Sequence, residues 1–94
     1  MAAGEPVGIW QKDPNAVLPY TIDWADWLGS DTISSSTWTV ASGITEDSTS
    51  STTTVATILL SGGTSGTSYS VTNRITTAAG LTEDRTIRID VIER

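Results

Sequence analysis

Ser68-Tyr69-Ser70-Val71-Thr72-Asn73-Arg74-Ile75-Thr76-Thr77, and then Leu81-Thr82-Glu83-Asp84-Arg85-Thr86-Ile87-Arg88-Ile89-Asp90-Val91-Ile92, decide the fold. In the first run Tyr69, Val71, Asn73, Ile75 and Thr77 alternate with Ser70, Thr72, Arg74 and Thr76. In the second, Ile87, Ile89 and Val91 alternate with Arg88 and Asp90. Side chains on an extended chain point to opposite faces in turn, so a period of two predicts strands with one buried face. Ala79-Gly80 supplies the turn between them, and the pair reads as an antiparallel hairpin.

Upstream, Gly62-Gly63-Thr64-Ser65-Gly66-Thr67 is a tight turn rich in residues that accept positive φ. Residues 52–61 read as a strand whose apolar residues (Val55, Ile58, Leu59, Leu60) do not alternate cleanly, which leaves its buried face open. Residues 43–51, with Glu46 and Asp47, read as a polar loop. Residues 32–42 are a strand with Trp38 and Val40 on one face, and Trp38 is the natural centre of the core. Asp23-Trp24-Ala25-Asp26-Trp27-Leu28 breaks the alternation and predicts a single helical turn closed by Gly29-Ser30-Asp31. Residues 17–24 form a strand with Leu18, Tyr20, Ile22 and Trp24 on one face. Pro19 has no N–H and so places this strand at an edge or at a bulge. Asp13-Pro14-Asn15 is a turn, and residues 9–12 are a short edge strand. Residues 1–8, small and broken by Gly and Pro, read as a flexible arm ahead of a domain at 9–94.

The composition agrees with an all-β chain. Of 94 residues, 17 are Thr and 12 are Ser, and Thr is β-branched and suited to strands. Six aromatics, four Trp and two Tyr, must form much of the core. About six strands at roughly 8–14-residue spacing suggest one antiparallel β-sandwich of the Ig-like or fibronectin type III-like kind. Tyr69 opens a strand after a Gly-rich corner, where such sandwiches place a Tyr whose hydroxyl bonds to backbone upstream. An ordinary half-buried strand Tyr is the other reading of this residue.

The chemistry is sparse. There is no Cys, hence no disulfide or thiolate metal site, and no His, the commonest general base and transition-metal ligand. Asp13, Asp23, Asp26 and Asp31 lack the spacing of a Ca²⁺ loop and suit caps and turns instead. Asp23 and Asp26 share one short turn rather than facing each other across a cleft, so they do not make a glycosidase acid/base pair. The Ser/Thr runs at residues 34–37 and 48–54 lack the Pro of mucin-like stalks. The chain is read as non-enzymatic, with no cofactor or metal. A net charge of −6 argues against nucleic acid and anionic membrane as partners. No N-terminal signal peptide is visible, and no apolar run is long enough to span a bilayer. Residues 1–50 carry seven acids and one base, residues 51–94 four acids and four Arg.

Lys12-Asp13-Pro14-Asn15-Ala16-Val17-Leu18, Tyr20-Thr21-Ile22-Asp23-Trp24, Asp26-Trp27-Leu28, Asp31-Thr32-Ile33 and Ser36-Thr37-Trp38-Thr39-Val40 occur in a characteristic order. Leu60-Ser61-Gly62-Gly63-Thr64-Ser65-Gly66, Tyr69, Val71-Thr72-Asn73-Arg74-Ile75-Thr76-Thr77, Gly80 and Asp84-Arg85-Thr86-Ile87 follow. Over residues 9–92 this resembles a family of small Ig-like virion proteins of tailed bacteriophages, of the fiber–tail adaptor kind. Pro19, where a polar residue is expected, and Glu83 depart from the pattern. The resemblance implies a virion component assembled in the host cytoplasm, present in multiple copies and bound to tail, neck, fibre or capsid subunits. It leaves capsid decoration open beside the adaptor role, and the Trp residues keep a carbohydrate-binding sandwich as a third reading.

Large aromatics in so polar a chain anchor either the core or a partner, which marks Trp10, Trp24 and Trp27 as candidate partner-binding residues. Arg74 and Arg88 should point outward, either pairing with Glu83, Asp84 or Asp90 or docking an acidic patch on a neighbour. The arm around residues 5–7, with Ile9 and Trp10, is expected to order against a neighbouring subunit by adding to a sheet edge.

Overall fold

The alternating segments build two sheets, laid face to face over the apolar side of each. The computed structural model describes residues 6–93. In chain order the elements are β1 (Pro6–Lys12), β2 (Leu18–Asp23), α1 (Ala25–Leu28), β3 (Ile33–Val40), β4 (Ile44–Ser51), β5 (Val55–Gly62), β6 (Ser68–Thr77) and β7 (Thr82–Val91). One sheet has the order β1-β7-β6-β3, the other β2-β5-β4. Every neighbouring pair is antiparallel except β1 and β7, which run parallel. The chain changes sheet at β1–β2, β2–β3, β3–β4 and β5–β6, the Greek-key path of an Ig-like sandwich.

The β6–β7 hairpin has the register its pattern requires. Tyr69 faces Ile89 and Val71 faces Ile87, so the inward residues of both strands share one face. Tyr69, Val71, Asn73, Ile75 and Thr77 are all buried, as are Ile87, Ile89 and Val91. The opposite sheet contributes Tyr20 and Ile22 from β2 and Ala56, Ile58 and Leu60 from β5. That settles the β5 face: Ala56, Ile58 and Leu60 point inward, while Val55, Thr57 and Leu59 are half-buried on the outer side.

Tyr69 is a tyrosine corner. Its hydroxyl accepts a hydrogen bond from the Thr64 N–H at 2.8 Å, five residues upstream. Two glycines with positive φ make room for it. A Cβ on Gly43 (φ 103°) would lie 2.9 Å from the Tyr69 ring, and one on Gly63 (φ 97°) 2.7 Å from Val91.

Lys12 is fully buried at the same end of the sandwich. Its ammonium donates to the carbonyls of Gly62 (2.6 Å) and Asp13 (3.0 Å), tying β1 of one sheet to the last residue of β5 in the other. Burial pushes its pKa below the ordinary lysine value, and the nearby Asp13 and Asp47 carboxylates act in the opposite sense.

Three expectations are corrected. Residues 43–51 are not a loop: residues 44–51 form β4, an edge strand paired with β5 whose only buried residue is Ile44. An edge strand exposed on both sides needs backbone partners but no apolar alternation, so the sequence pattern was blank there. Trp38 is half-buried on the edge strand β3, and the centre it was expected to hold belongs to Trp24. The strand expected over residues 9–12 begins at Pro6, so residues 6–8 pair with β7 of the same domain rather than with a neighbour. The rest of the expected arm, residues 1–5, lies outside the described residues.

Candidate docking surface

The Asp-Trp-Ala-Asp-Trp run forms one end of the sandwich. β2 leads into α1 through an Asx turn in which the Asp23 carboxylate accepts from the Ala25 N–H at 2.9 Å. The Trp24 N–H donates to the Thr54 carbonyl (2.8 Å), and the Leu28 N–H donates to the Trp24 carbonyl (2.9 Å). This geometry sends Trp24 and Trp27 to different fates. Trp24 is completely buried, and its indole N–H donates to Asn73 Oδ1 at 2.9 Å. The Asn73 amide in turn donates to Ser36 Oγ (2.8 Å) and the Thr37 carbonyl (2.9 Å), so the contact joins α1 to β6 and β3. The Arg85 guanidinium lies over the Trp24 ring, 4.3 Å from its centroid. Trp27 stacks edge-on against Trp24 at 5.5 Å and stays 36% exposed. Trp24 therefore has no surface to offer a partner, and Trp27 does.

A second surface lies along the β1–β2 side. Trp10 is 39% exposed. Its ring folds back over Gly8, where a Cβ would collide with it, and meets Tyr20 edge-to-face at 6.3 Å. Ile9, Val17 and Leu18 are also exposed. Trp10 is expected at a partner contact and Val17 is not, and the period of two predicts Leu18 inward with Tyr20 and Ile22. Leu18 does share their face. It stands at the end of an edge strand, next to the Asp13–Ala16 turn, where the opposite sheet no longer covers it.

The outward arginines are engaged. Arg74 Nε and Nη2 donate to both oxygens of Asp84 (2.8 and 3.0 Å) across β6 and β7. Arg88 grips Asp90 in the same way (2.9 and 3.2 Å). These hydrogen bonds hold both carboxyls below the usual range and raise both guanidinium pKa values. Arg74 and Arg88 are thus on the surface as expected, each with an intramolecular partner. The opposite sheet carries no such balance: Asp23 of β2 and Glu46 and Asp47 of β4 are its acids, and no Lys or Arg lies on its strands. Among the described residues no three acidic side chains gather as metal ligands do.

The sequence of residues 12–90 matches the family model of the podophage GP4 fiber-tail adaptor protein gp77. The chain belongs to this family. The fiber-tail adaptor match begins at Lys12, so Ile9 and Trp10 of β1 precede it, while Trp24, Trp27, Arg74 and Arg88 fall inside. Among solved structures, the chain is similar to the solution structure of the PKD domain from KIAA 1837 protein. The TM-score is 0.53 at 20% identity, covering 96% of this chain and 83% of that one, a likeness of fold alone. No curated protein matches the sequence.

Proposed function

We propose that this adaptor-family protein is a non-enzymatic structural component of a podophage virion that docks at the tail or neck and joins fibres to it. The observation that carries the reading is the family match over residues 12–90. The architecture supports it. A small sandwich with neutralised charges on one sheet, and exposed apolar side chains at one side and one end, suits contact with other proteins. Many copies of a modest contact add avidity. Assembly in the host cytoplasm is consistent with a chain that needs no disulfides. Trp24, being buried, removes one of the three aromatics that suggested a carbohydrate platform.

Quantitative densitometry of purified virions tests the reading. An adaptor is expected at the copy number of the tail or neck rings. A copy number that follows the major capsid protein would replace the adaptor with a capsid-decoration protein. Binding of the isolated domain on a glycan array would favour a sugar-binding module instead.

A further inference from the structure

The sandwich has two lateral sides, and they are built differently. On one, β3 lies along β4 and closes the gap between the sheets. On the other, β1 and β2 meet through the Trp10–Tyr20 ring contact, and Ile9, Trp10, Val17 and Leu18 remain exposed. We propose that the free edge of β1 accepts an extended strand from a different virion protein, which pairs with residues 8–11 and covers Trp10 and Leu18. The proposal rests on the adaptor reading for the existence of a partner, and it names where and how that partner binds.

A comparison of the four sheet edges carries the argument. An unpaired edge is a template for another strand unless it is blunted by charge, Pro, a bulge or a covering element. β4 is blunted by a bulge between Glu46 and Ser48, and Glu46 and Asp47 put two acids there. β2 has Pro19, which cannot donate, and ends on Asp23. β3 is interrupted between Ile33 and Ser35 and flanked by β4. β1 is broken at its start by Pro6 and a register shift between Pro6 and Gly8, but from Gly8 to Lys12 it pairs with β7 in continuous register. Its residues Gly8, Ile9, Trp10 and Gln11 carry no charge, and its one ionic side chain, Lys12, is turned inward and spent on carbonyls. In a strand paired on one side only, alternate residues aim their N–H and C=O groups away from the sheet. β1 therefore offers main-chain partners beside exposed Ile9 and Trp10, the combination that strand addition uses for affinity and specificity.

Charge selects the occupant. Asp13 adjoins the end of β1, and the chain as a whole carries a net charge of −6. The incoming strand is thus apolar at its centre and flanked by Lys or Arg. A second copy of this chain would bring a like charge of −6 to the same contact, which disfavours self-pairing. From sequence, β1 and the arm are expected to reach out to a neighbour's sheet. With β1 already paired to β7, it is the acceptor.

Hydrogen–deuterium exchange on the isolated domain and on intact virions tests this, with two variants beside the wild type. Amides of residues 8–11 are expected to exchange about ten-fold or more slowly in the virion, with the β4 amides little changed. Ile9→Lys, which puts a charge on the β1 edge, is expected to keep the melting temperature of the isolated domain and to cut incorporation into virions several-fold. Thr49→Lys, on the exposed β4 edge, should incorporate like the wild type. If the wild type is in virions but residues 8–11 exchange as in the free domain, strand acceptance is wrong while the adaptor reading stands. If residues 8–11 become protected in a concentration-dependent dimer of the isolated domain, the occupant is a second copy and the proposal fails. If the wild type is absent from virions, the adaptor reading falls and the proposal with it. If Ile9→Lys incorporates normally, the edge is not the contact.

Discussion

The indole N–H of Trp24 donates to Asn73 Oδ1 at 2.9 Å, inside the core and across 49 residues of sequence. Asn73 sits among Val71 and Ile75 on the inward face of β6, a place where an amide is costly unless its bonds are made. All of its side-chain atoms are engaged: the oxygen by Trp24, the nitrogen by Ser36 and Thr37. One polar group thereby binds α1, β6 and β3 into a single arrangement.

Asn73→Leu should be among the most damaging substitutions in the chain. It leaves the Trp24 N–H buried without an acceptor and frees Ser36 and Thr37, for an expected loss of about 2–4 kcal/mol. Trp24→Phe strands the same oxygen from the other side. Chemical denaturation of the two single variants and the double variant should show a loss smaller than the sum, because the second change removes the group orphaned by the first.

The tyrosine corner gives a cleaner case. Tyr69→Phe keeps the ring between Gly43 and Gly63 and removes the hydroxyl that accepts from the Thr64 N–H. The expected cost is about 1 kcal/mol, read from the urea midpoint at unchanged slope.

Lys12 separates stem packing from charge. Lys12→Ala should destabilise by about 2–4 kcal/mol, as a buried stem is lost, whereas Lys12→Met keeps most of the packing. The charged form is disfavoured in the folded protein, so the folded-state pKa lies below the unfolded value of 10.5. Between those two values the unfolded chain holds more protons, and this residue's contribution to stability rises with pH. Denaturation midpoints measured across the alkaline range should show that rise in the wild type, and Lys12→Met should remove the Lys12 share of it.

At the acid end the slope has the same sign, but there the charged forms are the favoured ones. Asp84 is held low by Arg74, Asp90 by Arg88 and Ser68, and Asp31 by hydrogen bonds from Thr77 and from the Thr32 and Ala79 backbone. Each folded pKa lies below the unfolded carboxylate value, so the stabilisation is complete above that value and is lost as pH falls through the folded one. A pH titration of the urea midpoint should fall off below about pH 4. A combined Asp31→Asn, Asp84→Asn, Asp90→Asn variant should show a shallower acid limb. The Arg74–Asp84 and Arg88–Asp90 pairs are partly exposed, so salt should weaken them.

Alternation along single strands, turn chemistry and the Asp-Trp run were enough to determine β2, β6, β7, α1, the Asp13 turn and the position of Tyr69, because each depends on near neighbours in the chain. The outward direction of Arg74 and Arg88 followed from the same period of two. Only the tertiary structure decided which Trp fills the core. Trp24 and Trp38 are equally apolar on paper, but Trp24 lies where the facing sheet covers it and Asn73 satisfies its N–H, while Trp38 sits on an edge. The same holds for β4, whose strand state comes from pairing with β5 rather than from its own side chains, and for the start of β1, which is a partner of β7. The exposure of Leu18 and the burial of Lys12 are likewise properties of where two sheets end relative to each other, a distance that no local pattern encodes.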